Sequence, residues 1–200
     1  MRIPKTICAT FAVVLLCLGS AVVARADAIT FVGSRDTANG PPAAPNLGRC
    51  GAAPNVLVTL AGAGSSNLGS FTANDSHCTN PTLPTGNVFD GRFAWDFGGG
   101  NTLLGTFSGT VTLPPVQGVA PFTETFTVTG GTGLFAGASG ILLATGTVSF
   151  NMNGTVNSHA DFRGTINTVP EPATLVLLGT GLAGAAAGAR RRRKAAGATA

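Results

Sequence analysis

Between Asp27 and Thr168 the chain contains no lysine and a single glutamate, Glu124. Without these charged helix formers, and with no sustained 3.6-residue apolar period, long helices are not expected there. Basic side chains are also scarce. The whole chain of 200 residues has a net charge of +4, yet only Arg35, Arg49, Arg92 and Arg163 of its 12 lysines and arginines lie between Asp27 and Val169. They face seven acidic residues, Asp27, Asp36, Asp75, Asp90, Asp96, Glu124 and Asp161, which leaves that stretch at −3. A stripe able to neutralise phosphates is missing, so nucleic acid is excluded as a partner.

Chemical signatures are equally thin. No CxxC pair or histidine cluster is present to bind zinc, no GxSxG marks a nucleophile elbow, and Glu124 has no partner with which to make the paired acids of a glycosidase. Neither a catalytic residue, a metal ligand set nor a cofactor site is assigned. Gly179, Gly181 and Gly184 satisfy GxGxxG in letters alone, with no strand before them and no acidic residue about 20 positions on. Gly184 and Gly188 form a GxxxG that could meet another helix. His77 stands two residues from Asp75 and His159 two from Asp161. Each pair would share a face of a strand, but both sit in polar, loop-like surroundings and read as solvated groups.

What the chain has is concentrated at its ends. Arg2 and Lys5 precede an apolar run from Ile7 to Val23, followed by small residues at Ala24, Ala26 and Ala28. This is the order of a signal peptide cut by signal peptidase after Ala26, or alternatively after Ala28. Export suits the cysteines, since Cys8 and Cys17 leave with that segment and only Cys50 and Cys78 remain. A disulfide between them would close a loop of about 28 residues and contribute roughly 3 kcal/mol.

At the other end, Val169, Pro170, Glu171 and Pro172 precede 17 uncharged residues, Ala173 to Ala189, and then Arg190, Arg191, Arg192, Arg193 and Lys194. The prolines favour an extended backbone without amide donors, which a processing enzyme can read as a strand. A helix over 173–189 would rise about 25 Å, short for a bilayer core but able to span it. The basic block would stay cytoplasmic and leave the preceding domain outside, N-out and C-in, with residues 195–200 as a disordered end.

This three-part tail resembles that of PEP-CTERM proteins. The resemblance implies sorting by an exosortase in the inner membrane of a Gram-negative bacterium that secretes exopolysaccharide, with recognition at Val169 to Pro172. It also implies removal of the tail and delivery to the cell surface or extracellular matrix.

The intervening residues 29–168 read as an extracytoplasmic all-β domain. Apolar and polar residues alternate around Phe93, Trp95 and Phe97, Phe107 and Val111, Phe122, Phe126 and Val128, Val148, Phe150 and Met152, and Phe162 and Ile166, with an earlier strand over 55–61. Residues 39–54 and 65–87 read as irregular loops, each holding one of the cysteines. Six or more short strands between glycine turns make an antiparallel barrel or sandwich. The segment from Thr129 to Gly140 is similar to the Gly-rich turn and strand of allene-oxide-cyclase and dirigent-like barrels, a likeness that carries no activity with it. The expected role is a noncatalytic surface or matrix protein associated with exopolysaccharide. The alternatives are an exported barrel enzyme and a small-ligand binding module.

Overall fold

The structure is a computed structural model that describes residues 27–40, 48–82, 84–112, 118–153, 155–168, 179–185 and 188. Its described strands are β1 (Asp27–Asn39), β2 (Val56–Ser66), β3 (Gly69–Asn80), β4 (Thr85–Asp96), β5 (Thr102–Thr112), β6 (Gly118–Thr132), β7 (Ser139–Phe150) and β8 (Val156–Thr168). Each pairs antiparallel with the next, and β8 returns to β1 through a ladder running from Asp27↔Thr168 to Asn39↔Val156. The result is a closed up-and-down barrel, which removes every sheet edge and decides the choice between barrel and sandwich.

Alternation sets the two faces. On β6 the inward residues are Ala120, Phe122, Glu124, Phe126 and Val128, and the outward ones include Thr123, Thr125 and Thr127. On β5, Leu103 and Phe107 are buried while Thr106, Ser108 and Thr110 are exposed. The outer faces of β5 and β6 are thus largely threonine and serine, while Val32 of β1 and Ile141 and Leu143 of β7 add exposed apolar side chains to the wall.

Aromatic rings need room on such a small circumference, and interior glycines provide it. A Cβ on Gly105 would lie 2.5 Å from the Phe93 ring, and one on Gly91 would lie 2.6 Å from the Phe107 ring. Large and small residues therefore alternate around the wall.

One end of the barrel is plugged. There Trp95, fully buried, stacks on Phe71, packs at a tilt against Phe93 and meets Phe162 edge to face, each at a centroid distance of 4.8 Å. A 3₁₀ turn, Gly133–Phe135, lays the buried Phe135 ring 4.9 Å from Phe97 across the same end. Gly133 has φ +57, a left-handed conformation that favours glycine and turns the chain inward. Two loops of this end are tied together, with Thr132 Oγ1 donating to the Gly100 carbonyl at 2.6 Å and the Leu134 amide donating to Asn101 Oδ1 at 2.9 Å. Asp27 and Thr168 are also at the plugged end, so the barrel's chain enters and leaves beside its base.

Three readings of the sequence are corrected. Residues 65–87 are not a loop, because β3 occupies Gly69–Asn80 with Phe71, Ala73, Asp75 and His77 turned inward. Its alternation is hidden by an acid and a histidine at inward positions. Met152 lies in a turn beyond β7, where the chain has already left the wall and the side chain is exposed. The loop containing Cys50 is joined to a strand and not to a second loop: Cys50 and Cys78 are disulfide-bonded with Cα atoms 5.4 Å apart.

That loop has a second fastening. Arg49 Nε donates to Asp90 Oδ2 at 2.8 Å and Nη1 to Ser76 Oγ at 2.9 Å. Asp90 has φ +43 and lies at the bulge where the β4–β5 register shifts between Val88 and Gly91. The Arg49 hydrogen bond holds the Asp90 carboxyl below its ordinary range, as expected of a carboxylate accepting from a cation.

Residues 179–185 are helical and form no part of the barrel, which is one compact unit of the chain, 26–169. Among the described residues no helix is long and apolar enough to cross a membrane. The expected signal peptide, most of the expected span 173–189 and the basic stop 190–194 lie outside the described residues.

Candidate functional site within the barrel

Among the described residues no aromatic plug closes the opposite end. A cavity of about 260 Å³ enters there, lined along its sleeve by Val56, Val58, Leu60, Val111, Val148 and Phe150. Its floor is polar, formed by Arg35 of β1, His77 of β3 and Glu124 of β6. The strands place these long side chains by the same alternation that places the phenylalanines, since Arg35 follows Phe31 at an even spacing and Glu124 stands between Phe122 and Phe126. Their neighbours on adjacent strands are small. Arg35 lies between Gly64 and Ala160, and Glu124 between Gly109 and Ala144, so the wall leaves space for each side chain to extend across the interior.

Arg35 is only 2% exposed and is ion-paired through Nη1 to Asp75 Oδ2. Its guanidinium lies 5.4 Å from the centroid of Phe162 and 5.7 Å from that of Phe126, resting on the aromatic plug. Asp75 also accepts from Trp95 Nε1 at 3.2 Å. The carboxylate thereby links the plug to the floor. Arg35 Nε and His77 Nδ1 are buried without hydrogen-bond partners.

Burial perturbs the floor in opposite directions. It pushes the Glu124 carboxyl up to about 7, an effect that Arg35 partly offsets. It pushes the His77 imidazole down to about 4, helped by the positive charges of Arg35 and Arg49. Arg35 itself is lowered to about 10, against the pull of Glu124. At neutral pH the floor therefore holds an uncharged histidine, an arginine neutralised by Asp75, and a glutamate poised between its two forms.

The histidine–aspartate pairs separate in the fold. His77 is buried, 5.6 Å from the Phe107 ring, and Asp75 beside it is committed to Arg35 and Trp95. Its reading as a solvated loop residue is thus corrected, because an inward strand position overrides the polar character of its sequence neighbours. His159 is on the outer wall, with Nδ1 2.8 Å from Asp36 and Nε2 3.8 Å from Asp161. Glu124 is in the middle of β6, its carboxyl close enough to Arg35 for the two charges to interact. Among the described residues no group of three His, Cys, Asp or Glu side chains converges to hold a metal.

Arg35 was legible only as a charge in the sequence. The signal that would have found it is its even spacing from Phe31, which puts it on a buried face.

Beyond the barrel, β8 ends at Thr168, and residues 168–193 match the PEP-CTERM protein-sorting motif. The chain carries a PEP-CTERM sorting tail. The matched segment contains Val169 to Pro172 and Arg190 to Arg193, and it starts where the last strand stops. A PEP-CTERM tail marks a protein exported to the cell envelope or surface and sorted by an exosortase. No curated protein and no solved structure is similar enough to match the chain.

Proposed function

We propose that this protein is a noncatalytic small-molecule binding barrel that its PEP-CTERM tail delivers outside the inner membrane of a Gram-negative cell. The observation that carries the reading is the open cavity with apolar walls and a built polar floor, the usual form of a ligand site. Support for the noncatalytic part comes from the commitments of the reactive-looking groups. Ser158 Oγ is hydrogen bonded to Thr37 Oγ1 at 2.6 Å, and Asp75 is held by Arg35 and Trp95, so neither forms a nucleophile–base pair with His77. The threonine-rich exterior suits contact with a hydrated exopolysaccharide matrix. Removal of the signal peptide after Ala26 by signal peptidase leaves β1 whole, because Asp27 is its first paired residue. The precursor then stands as a single-pass N-out, C-in intermediate until its tail is processed.

Two measurements test this. N-phenyl-1-naphthylamine, an uncharged fluorophore, should brighten on binding the secreted protein, and Val156→Trp at the half-buried rim of the mouth should abolish the signal while leaving the circular dichroism unchanged. Equal brightening by the variant would overturn the cavity reading. In cells, Pro170→Ala with Pro172→Ala should leave full-length precursor in the membrane fraction on a blot. An unchanged size and location would count against sorting through this motif.

A further inference from the structure

The cavity is built for more than general greasiness. Its sleeve is aliphatic and aromatic, so the body of an occupant must be apolar. Its floor contains an arginine Nε and a histidine Nδ1 that are buried and unpartnered, and polar groups buried without a partner are costly. An occupant that brings an oxygen to the floor relieves that cost.

Charge decides what kind of oxygen. The guanidinium is already neutralised by Asp75, and the Glu124 carboxyl stands close enough to Arg35 for each to alter the other's proton affinity. An anionic head would meet Glu124 and Asp75 with only one cation among them. A cationic head would find Glu124 but would have to compete with Arg35 for it and for Asp75. Both would lose their hydration on entering a sleeve that offers no compensating charge. A carbonyl or hydroxyl oxygen loses far less, and it can accept from Arg35 without disturbing the Arg35–Asp75 pair.

We propose that the cavity takes an uncharged amphiphile, with its hydrocarbon body in the valine- and phenylalanine-lined sleeve and a terminal carbonyl or hydroxyl oxygen accepting from Arg35 at the floor. This rests on the reading of the barrel as a binding module and adds the chemical class of its ligand. Arg35 is then the specificity-determining residue. His77 Nδ1 supplies a second contact, as an acceptor for a hydroxyl or, in the other tautomer, a donor to a carbonyl.

The test is displacement of N-phenyl-1-naphthylamine from the whole secreted barrel at pH 7.5 by four eight-carbon probes: octane, 2-octanone, octanoate and octyltrimethylammonium. 2-Octanone should bind at least tenfold more tightly than each of the other three. If octane displaces the dye as well as 2-octanone does, the binding module stands but the polar floor selects nothing. If octanoate or octyltrimethylammonium matches 2-octanone, the inference about charge falls. Failure of the dye to bind at all removes the binding module itself, and with it this inference.

Arg35→Met, in folded form, should bring 2-octanone to within about twofold of octane, and a retained preference would overturn the role of Arg35. Because that substitution leaves Asp75 without its cation, Glu124→Gln provides a second arm that keeps the Arg35–Asp75 pair. Octanoate should gain about tenfold in Glu124→Gln as the opposing carboxyl is removed. Unchanged octanoate binding there would overturn the electrostatic argument.

Discussion

Trp95→Ala should lower the unfolding free energy by about 4 kcal/mol, the upper range for deletion of a buried aromatic side chain. The indole is in contact with nearly the whole plug. Phe71, Phe93 and Phe162 lie at 4.8 Å between centroids, Phe126 at 5.7 Å and Phe31 at 6.0 Å. Removing it opens a cavity that eight paired strands cannot close by collapse, because the closed ladder fixes the wall. It also removes the N–H that donates to Asp75 Oδ1, leaving part of a buried carboxylate unsatisfied.

These two contributions can be separated. Trp95→Phe keeps an aromatic ring but loses the donor and should fall roughly midway, as read by urea denaturation monitored by circular dichroism. A Trp95→Ala midpoint indistinguishable from wild type would mean that the ring is not the centre of the plug.

The second large effect is a pair of opposed pH profiles. Glu124 has a folded value near 7 against an ordinary 4.5, so the folded state holds its proton more tightly than the unfolded chain does. The stability this contributes is present below pH 4.5 and is lost as pH rises through 7. His77 has a folded value near 4 against an ordinary 6.5, so its contribution is present above pH 6.5 and is lost as pH falls through 4. Each shift amounts to something on the order of 3 kcal/mol.

In the wild type the two slopes oppose one another between pH 4.5 and 6.5. Substitution uncovers them. Relative to wild type, Glu124→Gln should become progressively more stable from pH 4.5 to 7, and His77→Gln progressively more stable from pH 6.5 down to 4. Melting temperatures taken across pH 4 to 8 provide the differences, in which the other titrating groups cancel. Parallel profiles for the two variants and the wild type would show that neither group is desolvated by the barrel.

The sequence made the wall easier to read than the interior. Strands such as β4 and β6 show themselves because their inward residues are phenylalanine, tryptophan and valine against outward threonine and alanine. β3 did not show itself, because two of its inward positions are Asp75 and His77, which composition alone assigns to solvent. β1 was missed for a related reason: Gly33, Arg35 and Thr37 follow Phe31 on the buried face, and only Phe31 is conspicuously apolar.

The floor of the cavity is made of these residues. Polar side chains facing a barrel interior imitate a loop in one dimension, and it takes strand pairing to reveal that Arg35 and Asp75, 40 positions apart, are partners. The tail was legible because its information is linear. A proline pair, an apolar run and a basic block act in order along the chain, and no fold is needed to bring them together.

The chain both enters and leaves the barrel at its base, beside the aromatic plug, while the mouth opens a full strand's length away. A cut beyond Thr168 would therefore leave all eight strands and the residues that line the cavity intact. On the proposed reading, an occupant of the sleeve would be held wholly by side chains that precede the sorting tail, so processing of that tail would leave its binding contacts in place.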